Sequence, residues 1–281
     1  MRTIEQKEII LEQMMAPMEK AIVAFSGGVD SSLVLRKVID VLGVENVRPV
    51  VVKSELFRKT EFEGAAHLAE QMGTSITEVS MKELSHPMIV ANGPDSWYYS
   101  KKMLYKKLNE AAKDFGTSYV LDGMIVDDEE DFRPGLKART EANVKSVLQK
   151  AGFCKEDVRT LSKQLQIPVW DKPASCSLAS RVPYGEKVTL EKINQINQAE
   201  LFIMELGFPV VRVRHHGEMA RIEVKPDQIT ALTDHYEAIN EKLKLLGFKN
   251  VVVDLEGYYT GRMNEVLSDE EKSKYVEQKA E

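Results

Sequence analysis

At 281 residues, with 43% hydrophobic and 29% charged side chains, the chain has the composition of an ordinary folded protein of one large or two modest domains. Its formal net charge of -6 argues against nucleic acid as an obligate partner, because a phosphate backbone rewards a basic face. The two cysteines, Cys154 and Cys176, are too few for a disulfide scaffold and lack zinc-site spacing. A reducing, cytoplasmic setting fits that usage.

The first stretch, MRTIEQKEIILEQMMAPMEK, reads as a charged amphipathic helix rather than a signal peptide. No apolar run approaches the roughly 18 residues needed to cross a bilayer, so no membrane partner is expected. Residues 21–25 (AIVAF) form a short apolar run that ends in a glycine turn and read as a buried strand. A helix over 31–42 stops at Gly43, a strand follows over 47–53, and a helix over 61–72 stops at Gly73. A short strand over 75–79, a long helix over 98–115 and a strand over 119–122 lead into an acidic loop, 123–133. Helices then fit 140–151 and 155–165. Strands alternating with helices predict an α/β fold with a parallel sheet covered on both faces.

The pattern changes after Ile167. Residues 168–189 (PVWDKPASCSLASRVPYGEKVT) are rich in Pro and Ser, and read as a functional loop with one helical turn after Pro173. Beyond it come a helix over 190–206, strands over 210–214 and 220–224, a helix over 227–246 and a strand over 250–255, a small α+β domain. The boundary is placed at about residue 185, giving domains 1–185 and 186–281.

The strongest local signal is FSGGVDSS at the end of the first strand. Gly27 and Gly28 permit close backbone approach and positive φ. Their amides and the helix N-terminus that follows suit a polyanion. Ser26, Ser31 and Ser32 add hydroxyls, and Asp30 is placed to hold Mg2+. No lysine follows the glycines, so this is not the loop that handles a γ-phosphate. The plainer alternative is a Gly-rich strand–helix turn with an Asp/Ser cap.

S-G-G-x-D-S-[ST] after a strand resembles the pyrophosphate-loop signature of the N-type ATP pyrophosphatases, which include NAD, GMP and asparagine synthetases and tRNA thiolation enzymes. The resemblance implies an adenine-nucleotide α-hydrolase-like fold and cleavage of ATP to AMP and pyrophosphate. Nothing in the chain looks like the glutaminase that ammonia-using relatives carry or recruit. Cys176, in Lys172-Pro173-Ala174-Ser175-Cys176-Ser177, sits in a polar setting, and a helix N-terminus with Lys172 and Arg181 close in sequence favours its thiolate. The alternative for Cys176 is a small buried residue. Cys154, in Gly152-Phe153-Cys154-Lys155, looks like a filler at a helix start.

Both halves of the chain resemble the ATP-dependent sacrificial sulfur transferases that build the nickel-pincer nucleotide cofactor of lactate racemase (the LarE family). The shared passages are SGGVDSS, SELF (54–57), PDSWYYSKKM (94–103), LDGMIVDDEEDFRPGLKAR (121–139), ASCSLASRVPYG (174–185), GFPVVRVRHH (207–216) and GRMN (261–264). That resemblance implies adenylation of the carboxylates of a pyridinium-3,5-biscarboxylic acid mononucleotide, a thioester with Cys176, and release of a thiocarboxylate that leaves dehydroalanine. Some relatives hold an iron–sulfur cluster on three cysteines; two cysteines cannot. A persulfide-using tRNA or other sulfurtransferase is the main rival, a non-catalytic nucleotide-binding protein and an amidating ligase the others.

Arg212 and Arg214, two apart on a strand, project from one face as phosphate ligands or as a solvated surface. Trp97 stacks on a pyridinium ring or is a core aromatic at a helix start. Asp128 binds metal or substrate, or belongs to a solvated acidic run. Ser180, Arg181 and Glu200 enter the substrate pocket through the family resemblance, with Lys101 and Arg133 as lesser candidates. Adjacent His215 and His216 point to opposite faces, which leaves no paired role. Ser54 and Met124 follow the second and fourth strands, where adenine lies in this fold. A homo-oligomer, a hexamer by resemblance, is expected.

Overall fold

The computed structural model describes residues 2–129, 134–259, 261–268, 270 and 272. Part of the acidic loop, with Arg133, lies outside the described residues. The chain opens with α1 (Ile4–Met15), whose start is fixed by a reciprocal capping box between Thr3 and Gln6. It then alternates through β1 (Ala21–Ala24), α2 (Val29–Leu42), β2 (Val47–Ser54), α3 (Lys59–Gln71), β3 (Thr77–Met81), α4 (Pro87–Val90), α5 (Ser96–Phe115) and β4 (Val120–Leu121). The four strands form one parallel sheet in the order β3-β2-β1-β4. Pro49 sits in β2, a central strand, but β3 pairs only from Val50 onward, so no hydrogen bond to β3 is missed at the proline.

Period-two alternation divides the sheet between two cores. Val23, Val51 and Leu121 face α1, α2 and the later α7 (Val147–Ala151) and α8 (Lys155–Gln164). Ile22, Val50 and Val120 face α5 and α6 (Gly135–Glu141) through Tyr105, Leu108 and Ala138.

Strand order reverses at β1, which has β2 on one side and β4 on the other. Ligands in open α/β sheets bind outside the carboxyl ends of the strands at such a switch point. Residues 26–32 occupy it.

The single helix expected over 140–151 is two helices. Asn143 adopts φ 55°, and Lys145 bridges to Leu121 as one further rung of the parallel sheet. Its amide donates to Val120 O at 2.8 Å, and its carbonyl accepts from Asp122. Completing the sheet overrides local helix preference here.

A single turn, Leu178–Arg181, follows the Pro- and Ser-rich stretch. The remaining elements are α9 (Leu190–Glu205), β5 (Val211–His216), β6 (Met219–Val224), α10 (Ile229–Thr233), α11 (Tyr236–Leu245) and β7 (Asn250–Val253). β5 and β6 form a hairpin across Gly217 (φ 61°) and Glu218, and β7 adds in parallel to β6. The helix expected over 227–246 breaks at Asp234–His235, where the His235 ring packs edge-on against Phe208 at 5.8 Å. No helix among the described residues is long and apolar enough to cross a membrane.

Candidate active site

The glycine-rich loop is built by its own hydroxyls. Ser31 and Ser32 donate to the Gly28 carbonyl at 3.1 and 2.7 Å, and Ser26 Oγ accepts from the Gly28 amide at 3.3 Å. Gly27 has φ +67°, and a Cβ there would lie 2.9 Å from both Cα and Cβ of Ala65 in α3. Only glycine fits. On the other side, a Cβ on Gly123 would lie 2.8 Å from the Ser31 amide, so the turn after β4 closes directly on the start of α2. Ser26, Gly27, Gly28, Asp30, Ser31 and Ser32 are therefore one structure, with Gly123 as a member that the sequence pattern did not reveal.

Two lysines remote in sequence reach this loop. Lys155, at the start of α8, puts Nζ 2.7 Å from each oxygen of Asp30. Lys172 donates to the Gly27 carbonyl at 3.0 Å rather than standing beside Cys176. Burial pushes the Asp30 carboxyl up, Lys155 opposes it, and nearby Asp128 adds to the rise. Asp128 itself accepts from the Ile125 amide at 3.0 Å. Among the described residues no group of three or more His, Cys, Asp or Glu is gathered to hold a metal. One loop carboxylate suits a Mg2+ carried largely by phosphate oxygens, not an all-protein cage.

Ser54 and Met124 flank the loop from β2 and from the turn after β4. Ser54 Oγ donates to Glu83, which Ser100 also reaches at 2.5 Å. Glu83 is fully buried; burial pushes its carboxyl up, while these two hydroxyls oppose the rise. Lys101 acts electrostatically on Glu83 and on buried Asp122. Met124 is held by its amide on Asp122, its carbonyl on the Gln149 amide and its sulfur 3.7 Å from Arg139.

Cys176 is exposed. The stretch around it is tied at several points. Ser175 Oγ donates to Glu61 in the first turn of α3 at 2.5 Å, and the Leu178 amide donates to Leu56 O at 2.8 Å. Arg212 Nη2 holds Ala174 O at 3.1 Å. Arg181 Nη1 holds the carbonyls of Cys176 and Ser177 at 3.1 and 3.0 Å and Ser180 Oγ at 2.8 Å. The thiol thus sits on a loop that is fixed to α3, which packs on Gly27. Cys154, by contrast, caps α8 through Asp157, with Sγ 2.9 Å from Oδ2.

Arg181 and Glu200 form a buried fork, with Nε–Oε1 at 2.9 Å and Nη2–Oε2 at 3.1 Å. Arg58 also reaches Glu200, and the Val213 amide donates to it at 2.9 Å. Burial alone would raise the Glu200 carboxyl, but Arg181, with Arg58 and Arg212, holds it below the usual range. Arg212 and Arg214 are 7% and 8% exposed, which excludes the solvated-face reading. Arg212 lies over the Tyr258 ring at 4.8 Å; burial and Arg181 depress its pKa. Arg214 pairs with Glu223 at 2.7 Å and donates to Ser180 O at 2.9 Å. Ser180, Arg181, Glu200, Arg212 and Arg214 form one network, together with their backbone partners in 174–180. Arg58, directly after SELF, joins it without any signal in the sequence. Trp97 is half-buried against the cluster of Leu56, Ile89, Leu178 and Ala179, next to the Cys176 stretch. His215 bonds Gln195 at 2.9 Å and takes no part.

The chain is 47% identical, over 95% of its length and 97% of the relative's, to pyridinium-3,5-bisthiocarboxylic acid mononucleotide synthase of Lactiplantibacillus plantarum. The chain belongs to that synthase family. It is also 37% identical, over 94% of its length and 99% of the relative's, to an uncharacterised protein of Synechocystis. The NAD synthase family model matches residues 4–106. A glutamine-hydrolysing GMP synthase component of Sulfurisphaera tokodaii is 26% identical over 86% of this chain and 80% of its own. The segment matched by the NAD synthase model holds the glycine-rich loop and strands β1, β2 and β3 of the parallel sheet.

Proposed function

We propose that the protein is an ATP-dependent sulfur transferase that consumes its own cysteine, acting on a pyridinium-3,5-biscarboxylic acid mononucleotide. A substrate carboxylate attacks the α-phosphate of ATP, giving an acyl-adenylate and pyrophosphate. The amides of Gly27 and Gly28 and the hydroxyls of Ser26, Ser31 and Ser32 receive the pyrophosphate. Asp30 is the residue that would hold Mg2+, which neutralises charge on the leaving group. Ser54 and Met124 border the adenine.

Cys176 thiolate then attacks the activated carbonyl, AMP leaves, and a thioester joins substrate to protein. Loss of the Cα proton and cleavage of the Cβ–Sγ bond place the electron pair on sulfur. A thiocarboxylate leaves, and dehydroalanine remains at position 176. Two carboxylates therefore require two protein chains. Arg212 and Arg214 take the substrate phosphate, Trp97 borders its ring, and Ser180, Arg181, Glu200 and Asp128 shape the pocket. The chain divides at about residue 185, works in the cytoplasm and assembles as a homo-oligomer.

The observation that carries this reading is the contrast between the thiols. Cys176 is exposed on a loop tied to both the phosphate loop and the arginine network, whereas Cys154 caps a helix. Cys176→Ala should abolish thiocarboxylate formation yet still release pyrophosphate, and Cys154→Ala should preserve both. Thiolated product from Cys176→Ala would refute the assignment.

A further inference from the structure

The loop motif carries no lysine of its own, yet the fold delivers two. Lys155 is committed to Asp30, with both oxygens at 2.7 Å. Lys172 is not committed in that way. Its Nζ donates to a neutral acceptor, Gly27 O, at 3.0 Å, and among the described residues no carboxylate pairs with it. The side chain is only half exposed. A partly desolvated ammonium without a counter-charge is costly, and here it stands on a loop whose amides are set for a polyanion.

We infer that Lys172 binds the pyrophosphoryl group of ATP and thereby couples nucleotide occupancy to the seating of Cys176. Lysine is a compact charge on a flexible stem, so Nζ passes from Gly27 O to a phosphate oxygen by rotation of the side chain. Four residues of exposed chain, 173–176, follow it. They are held elsewhere by Arg212 on Ala174 O, Ser175 on Glu61 and Arg181 on Cys176 O. A shift of Lys172 onto the anion therefore pulls on one end of a segment whose other end is anchored to the arginine network. The nucleophile is presented when the triphosphate site is filled. This inference rests on the reading of residues 26–32 as the pyrophosphate site.

The test compares wild type, Lys172→Gln and Lys172→Arg by calorimetry with inorganic pyrophosphate and Mg2+, with melting temperature recorded for each. Iodoacetamide labelling of the peptides containing Cys176 and Cys154 is followed with and without pyrophosphate. Loss of a charge-assisted phosphate contact should weaken pyrophosphate binding about ten- to a hundredfold in Lys172→Gln. Lys172→Arg, which keeps the charge, should bind within severalfold of wild type. Saturating pyrophosphate should change the labelling rate of Cys176, not Cys154, in wild type, and leave it unchanged in Lys172→Gln. A merely structural lysine would lower the melting temperature and leave affinity intact. Affinity within twofold of wild type in Lys172→Gln, or an equal Cys176 response in both, overturns the assignment. Absence of pyrophosphate binding by wild type overturns the loop reading itself, and this inference with it.

Discussion

Replacing Glu200 by Gln removes one charge and changes almost no volume, so its effect measures the buried arginine network. Four donors converge on this carboxylate: Arg181 Nε and Nη2 at 2.9 and 3.1 Å, the Val213 amide at 2.9 Å, and Arg58. Glutamine offers one acceptor oxygen and places an amide donor against guanidinium groups. Arg181, 1% exposed, is then left without its counter-charge. Breaking a buried pair from one side costs about 3–5 kcal/mol, a large share of the roughly 5–15 kcal/mol that stabilises a domain. The assay is urea unfolding of wild type and Glu200→Gln followed by fluorescence. The folded-state pKa of Glu200 is depressed, so its contribution is full above about pH 4.3 and is lost as pH falls through the depressed value. The gap between the two proteins should therefore close on acidification. A loss below about 1 kcal/mol at neutral pH would place the network on the scale of a surface pair and overturn this estimate.

Gly27→Ala should destabilise by about 2–5 kcal/mol, from positive φ and from overlap with Ala65, and should abolish pyrophosphate binding by calorimetry. Gly28→Ala, at φ -86° with only Ser26 Oγ at 3.3 Å, should fold normally, so equal unfolding midpoints for the two variants would contradict the packing difference. Asn92, 1% exposed, holds the carbonyls of Val182 and Pro183 at 3.1 and 2.9 Å. Asn92→Ala should cost about 2–4 kcal/mol in denaturant unfolding, and a change within about 0.5 kcal/mol would show that these carbonyls find other donors.

Contiguity decided what the sequence could reveal. FSGGVDSS is legible because β1, two glycines and the helix cap follow one another, and each carries its own chemical signature. Arg212 and Arg214 are legible as a pair because strand period places them on one face, and both reach residues 174–180. Their burial was not legible, since it depends on Tyr258, Glu223 and the loop folding over them. Lys155 and Lys172 lie 125 and 145 residues from their partners in the loop, and an isolated lysine has no local pattern. The helix expected over 140–151 failed for a related reason: Lys145 is claimed by β4, a long-range pairing that local propensity does not see.

In the proposed mechanism the loop fixes which ATP bond breaks, and Cys176 decides what the activated carboxylate receives. These two claims meet in a single quantity, the mass of the intact protein after incubation with ATP, Mg2+ and the biscarboxylated pyridinium mononucleotide. Each chain that delivers sulfur should become lighter by the mass of one hydrogen sulfide molecule, with the change mapped to residue 176. Thiocarboxylate product formed by protein of unchanged mass would contradict sacrifice of the cysteine.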